Sequence, residues 1–259
     1  MDTIFKAVVF TSQTYLEAKL SISNKQLEEL LQLMKNIPYL VKFQGENPQY
    51  AKNLIDMGEL HMCSAQYYID EELVSGVRGQ GDKYENEVMG FIHIDMGCPI
   101  YCMYAVYECQ CDDEFIWVDK KIIEDFCPSG GYITVCETLP FIRQFNRIYT
   151  KGYDAGLVTY GNRNVSFDMQ LLGKRQTGHF FKRPDLKYQQ EFRIVLDEKL
   201  NEKELPEDRQ VLVAKDGRRF WRPYEYGFKN FNIGDITKFS KQVKTTDLEE
   251  YDTGYKIKM

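Results

Sequence analysis

The stretch Lys187-Tyr188-Gln189-Gln190-Glu191-Phe192-Arg193-Ile194-Val195-Leu196 constrains the fold most, because its apolar second half reads as a strand inside a core. Side chains along a strand alternate, so Phe192, Ile194 and Leu196 share one face and Glu191, Arg193 and Val195 the other. With the Phe192 face buried, Gln189 and Glu191 project together from the opposite face, about 7 Å apart. A strand holds such a Gln-x-Glu pair more firmly than a loop does, which suits a group engaged in chemistry. A carboxylate at the head of a core strand also needs a partner. The structural alternative is a salt-bridged edge strand, with Glu191 answering Arg193 or a neighbour.

A chain of 259 residues, 43% hydrophobic and 28% charged, can bury a substantial core. Its 18 Tyr and 16 Phe against 2 Trp suit strands and ring-lined pockets. The net charge of −6 argues against indiscriminate coating of nucleic acid. Locally the balance reverses: Lys174, Arg175, Lys182, Arg183, Lys187 and Arg193 face only Asp185 and Glu191 over the same segment. That segment is a candidate basic approach for a phosphate-bearing partner, its bland counterpart being a solvated charged loop. No 18-residue apolar run and no secretory leader pattern occurs, so no membrane segment is expected. Seven cysteines, an odd number clustered centrally, point to a reducing, cytoplasmic location.

The order of elements is α+β. An N-terminal portion, residues 1–36, holds a strand or a short apolar opening over Thr3–Thr11 and a helix capped by Ser23 or Asn24, with Leu27, Leu30, Leu31 and Met34 on one stripe. Tyr39 to Phe43 is a strand, with Val41 and Phe43 opposite Leu40 and Lys42. Asn47 and Pro48 open a helix that Gly58 closes, and Glu59 to Cys63 is the next strand. Gln66 to Asp70 leads into Arg78 to Glu87, two glycines among donors and acceptors, a candidate binding loop. Strands are expected at Phe91–Ile94, Pro99–Tyr107, Phe115–Val118, Tyr132–Cys136, Gly156–Tyr160 and Val165–Leu172, with a short amphipathic helix or turn at Lys120–Phe126 and a helix at Thr138–Ile148. The second helix puts Phe141, Ile142, Phe145 and Ile148 on one side. After Leu196, residues 197–259 read as a C-terminal extension with strands at Val211–Ala214, Phe220–Arg222 and Ile233–Phe239. No linker forces a domain boundary, so one domain is expected, with 39–196 as its catalytic core.

Metal is not expected: Cys98, Cys102, Cys109 and Cys111 sit mostly in an apolar run rather than at the turn spacing of a zinc knuckle. No local protease or transferase signature surrounds any cysteine or the three histidines His61, His93 and His179. A glycosidase would pair Glu191 with Asp82, Glu85 or Glu87, at a separation the sequence leaves open.

Taken in order, Lys42, Gly58-x-Leu60, Tyr67-Tyr68, Arg78-Gly-x-x-Asp82-x-Tyr84-Glu85 and Tyr188-x-x-Glu191-Phe192-Arg193 resemble the ADP-ribosyltransferase superfamily. The same residues look like a group of bacterial proteins linked to phage defence. The likeness spans Tyr39 to Leu196, and its departure is Lys42, where the family carries Arg or His. The resemblance implies split mixed or antiparallel sheets around a cleft with flanking helices, and NAD as substrate. It makes Glu191 the catalytic carboxylate, with Gln189 orienting the acceptor. Tyr67 or Tyr68 would stack on nicotinamide, Lys42 or Arg78 would meet the pyrophosphate, and Asp82 and Tyr84 would complete the cofactor loop. The basic segment Lys174, Arg175, Lys182, Arg183 and Lys187 would then meet a nucleic-acid or protein acceptor, and a toxin or antiviral effector would have an antitoxin or defence-system partner. The other class of reading is a non-catalytic module that senses a nucleotide or phage component through the same rings.

Overall fold

The strand, helix, glycine, strand unit expected between Tyr39 and Cys63 is present, and it sets the geometry of what surrounds it. A computed structural model describes residues 24–76, 97–127, 130–161 and 177–259. The expected strands at Thr3–Thr11, Phe91–Ile94 and Val165–Leu172 lie outside them. Helix α1 (Asn24–Leu33) buries Leu30 and Leu31 on its stripe, and Met34, in the turn just after it, continues that stripe into the core. It leads into strand β1 (Tyr39–Gln44), helix α2 (Pro48–Met57) and strand β2 (Glu59–Ser64). Asn47 caps α2 by accepting the Gln49 N–H at 3.0 Å, and Pro48 occupies the first turn.

Gly58 ends α2 at φ +60°, in the left-handed region. A Cβ there would meet the Gly234 carbonyl oxygen at 2.3 Å and Ile233 Cγ1 at 2.5 Å. Gly58→Ala is therefore expected to cost roughly 1–3 kcal/mol, combining backbone strain with that clash. A thermal unfolding scan within experimental error of wild type would refute this.

Helix α3 (Ala65–Ser75) follows β2, where an unassigned lead into a loop was expected. Ser64 caps it by accepting the Tyr67 N–H at 3.0 Å, and Gly76 closes it at φ +70°. The chain continues through strands β3 (Pro99–Val106) and β4 (Phe115–Asp119), helix α4 (Lys120–Phe126), strand β5 (Tyr132–Glu137) and helix α5 (Thr138–Ile148). Strands β6 (Tyr153–Leu157), β7 (Thr159–Tyr160), β8 (Phe181–Lys182) and β9 (Glu191–Leu196) come next. On α5, Phe141, Ile142 and Phe145 are buried, but Ile148 is 42% exposed. Tyr149, one residue later, fills the core position expected of Ile148.

The last 63 residues are not an appendage. Strands β10 (Glu202–Glu204) and β13 (Tyr224–Tyr226) form one ribbon, and β11 (Val211–Val213) and β12 (Arg219–Trp221) another. Strands β14 (Phe228–Asn232) and β15 (Ser240–Lys244) flank Ile233–Phe239, which is itself not a strand. Strands β16 (Glu249–Tyr251) and β17 (Gly254–Lys258) join β4 in a three-stranded sheet.

Eight strands make the main sheet, in the order β14-β2-β3-β1-β5-β15, with β9 and then β6 branching from β3. Both ends of that order are thus supplied by the C-terminal residues. Every pairing in this sheet is antiparallel. One face packs Leu40, Met103, Phe192 and Ile194 against α1 and α5; the other packs Val41, Tyr104 and Val135 against Ile122 and Ile123 of α4. The architecture is α+β, strand-rich and antiparallel. No helix among the described residues is long and apolar enough to cross a membrane.

Candidate functional site

A break in one ladder opens the site. Strand β9 runs along one edge of β3, from Ile100 to Tyr104. On the opposite edge β2 pairs only with Pro99 and Ile100, and β1 only with Tyr104 to Val106. Tyr101, Cys102 and Met103 are left between two diverging strands. A backbone carbonyl exposed in such a gap needs a donor, and Lys42 Nζ supplies one to Cys102 O at 2.9 Å. The same ammonium lies 4.6 Å from the centre of the Tyr101 ring.

Glu191 stands at the first residue of β9, 8% exposed, facing a cavity of about 340 Å³. Its carboxylate is paired twice: Arg193 Nε reaches Oε1 at 2.8 Å, and Lys182 Nζ reaches Oε2 at 2.8 Å. Arg193 Nη2 adds a contact to Oε2 at 3.2 Å, and Nη1 donates to the His179 carbonyl. Burial by itself raises the Glu191 carboxyl, but Arg193 and Lys182 more than offset that and hold it well below the usual carboxylate range. The pairing with Arg193 and Lys182 thus favours the ionised form of Glu191.

Gln189 is not on the strand as expected. It closes a short 3₁₀ turn, Pro184–Gln189, and Gln190 follows at φ +40°. That left-handed residue reverses the chain so that Gln189, although off the strand, still lines the Glu191 cavity. Its side-chain oxygen accepts from Lys182 Nζ at 2.9 Å. The edge-strand alternative fails as well. The Glu191–Arg193 pair exists, but β9 is an interior strand between β3 and β6, and all six of its residues are buried.

Tyr67 and Tyr68 project from the first turn of α3 into the same cavity, their rings 5.7 Å apart and edge to face. Burial pushes the Tyr68 hydroxyl well above an ordinary phenol, so it acts as a hydrogen-bond donor rather than a base. Lys42 lines the cavity too; burial lowers its ammonium, and Cys102, Cys63 and Glu191 work in the other direction. Among the described residues, and counting Arg193 behind Glu191, three cations stand with two carboxylates, Glu191 and Glu71, at the cavity. The net charge of plus one favours an anionic ligand, and the rings supply stacking surface.

The basic segment does not form one outer face. Lys182, 2% exposed, and Arg193, 3% exposed, are turned inward onto Glu191, so Lys182 belongs to the site and not to an acceptor surface. Arg183 is half-buried and paired with Asp185 at 3.7 Å, while Lys187 is exposed. Lys174, Arg175, Arg78, Asp82, Tyr84, Glu85, Glu87 and His93 lie outside the described residues. Glu71 and Cys102 join the lining without a signal in the sequence, because each reaches the cavity only through packing.

Compared with protein-family models, curated proteins and solved structures, the chain matches none.

Proposed function

We propose that the cavity at Glu191 takes NAD and that the protein is an ADP-ribosyltransferase-like toxin or phage-defence effector acting on nucleic acid or protein. The observation that carries this reading is the split beside β3, which brings Lys42, Tyr67, Tyr68, Gln189 and Glu191 to one cavity from three separate stretches of the chain. Its volume of about 340 Å³ lies at the lower end of the range of roughly 300–1,000 Å³ usual for ligand sites.

The chemistry uses what these groups offer. Nicotinamide leaves with the electron pair of its bond to ribose, and positive charge builds on the sugar. A carboxylate whose ionised form is favoured by its cation partners stabilises that charge. An acceptor oxygen or nitrogen then bonds to the anomeric carbon and loses its proton. Lys42 and Lys182 suit the pyrophosphate, and Tyr67 or Tyr68 the nicotinamide ring. Gln189, tied to Lys182, positions that ammonium as well as any acceptor.

A second reading rests on Glu191 having both oxygens engaged by cations, which suits a carboxylate that shapes a nucleotide-recognition pocket without reacting. Incubation of the full chain with labelled NAD and cell lysate separates the two. Transferase activity is expected to release nicotinamide and to place label in RNA, DNA or protein, with a loss of roughly 100–1,000-fold in Glu191→Gln. Folded protein that binds NAD but releases no nicotinamide leaves the recognition reading; folded protein that does neither would falsify both.

A further inference from the structure

On the other flank of Lys42, Tyr67 and Tyr68 lies a second cavity of about 320 Å³, lined also by His61 and Cys63. His61 and Cys63 are two residues apart on β2 and so share a face. Their side chains meet, with Cys63 Sγ 3.4 Å from His61 Nε2. Across the ladder, Asn230 of β14 is the register partner of His61, and its Oδ1 lies 2.7 Å from His61 Nδ1. The amide oxygen accepts the Nδ1 hydrogen, which leaves the Nε2 lone pair facing the thiol. The imidazole is held from the side by the Phe228 ring, 4.8 Å away. A thiol, a base of fixed tautomer and a group that orients the base, all beside a cavity, is the arrangement that activates a nucleophile.

We infer that Cys63, His61 and Asn230 form a nucleophilic relay, and that the tyrosine-lined cavity takes an activated acyl compound, a thioester or an aryl ester, whose acyl group passes to Cys63. The Cys63 proton moves to His61 Nε2 as the sulfur bonds to the carbonyl carbon. The bond to the leaving group then breaks, and His61 returns the proton to that group. Water reverses the sequence: its proton goes to His61, its oxygen takes the acyl carbon, and the C–S bond breaks to restore the thiol. The Tyr68 hydroxyl, hydrogen-bonded to Cys63, and the Lys42 ammonium line the same cavity and are the donors at hand for charge on the carbonyl oxygen. In the resting protein burial pushes the Cys63 thiol up to about 11; Lys42 and Tyr68 pull it down and Glu71 pushes it up, so the thiol is protonated until His61 takes the proton. This relay does not depend on the NAD reading, although the two cavities share Lys42, Tyr67 and Tyr68.

The test is acylation of the full chain by 4-nitrophenyl acetate at neutral pH, followed by peptide mapping. A burst of about one nitrophenolate per chain is expected, with acetyl on Cys63. Exposed Cys109 serves as the unassisted thiol within the same molecule. His61→Ala should slow Cys63 acetylation about 100-fold and leave its rate following only the thiol's own titration, and Asn230→Ala should slow it roughly tenfold. Cys63 reacting no faster than Cys109, or at a rate indifferent to His61→Ala in folded protein, overturns the proposal. Because two thiols are compared in one folded chain, a Cys63→Ala variant that fails to fold does not weaken the result.

Discussion

Glu191→Leu should cost the fold about 3–5 kcal/mol, read as a drop in the midpoint of urea unfolding, because it strands two buried cations. Lys182 and Arg193 are 2% and 3% exposed, and Glu191 answers both at 2.8 Å. Arg193 sits behind Glu191, and Lys182 in the wall of the cavity; both side chains are buried, so neither charge is well solvated once its carboxylate is gone. If the loss reflects stranded charge rather than lost packing, removing the cations should restore stability. The triple variant Glu191→Leu, Lys182→Met, Arg193→Met is expected to match or exceed wild type, since a well-packed apolar replacement of a buried ion cluster is often neutral or stabilising by about 1–4 kcal/mol. A triple variant less stable than Glu191→Leu alone would show that the cluster is a net source of stability and contradict this account.

The pH dependence has a definite sign. The folded-state Glu191 carboxyl lies below its unfolded value, so the unfolded chain binds its proton more readily. Its stabilisation is complete above the unfolded value of about 4.3 and is lost as pH falls below it. Wild-type stability should therefore fall on acidification below that point more steeply than that of Glu191→Leu. Glu198, also held low, here by Lys229 and Tyr149 against the effect of burial, contributes a decline common to both.

Phe145→Ala should cost a further sort of stability, about 3–5 kcal/mol, through a cavity at the centre of the larger core. Phe145 is 1% exposed and stacks on Tyr149 at 5.4 Å, with Tyr153 at 4.8 Å and Phe231 at 5.9 Å meeting it edge to face. These rings come from α5, its C-cap, β6 and β14, so one deletion loosens elements far apart in the chain. Tyr153 and Phe231 sit on strands at different edges of the branched sheet, and the truncation tests whether residues after Leu196 share the core. Calorimetry showing a loss below about 1 kcal/mol, where large-to-small changes at buried phenylalanines usually exceed that, would mean that β14 is only loosely docked.

Much was legible from the residues alone where one local rule decides. The cap and proline at Asn47 and Pro48, the left-handed stop at Gly58 and the alternation of Val41 and Phe43 against Leu40 all stand where local chemistry requires. The face assignment in β9 also follows from period two, with Phe192 and Ile194 in one cluster and Val195 in another. Periodicity does not mark helix α3, because its apolar residues form no clean stripe and only its Ser64 and Gly76 caps signal it. Alternation alone puts Gln189 on the strand, since it cannot foresee a left-handed Gln190.

What the tertiary structure alone decided is which surface each charged side chain meets. Lys182 and Lys187 are five residues apart and look alike in sequence, yet one is buried on Glu191 and the other faces water. His61 and Asn230 are 169 residues apart and meet only because β14 pairs with β2. Backbone periodicity is a property of neighbours along the chain, so it is written locally. The split beside β3 depends on the registers of three strands, and register is set by packing between distant segments.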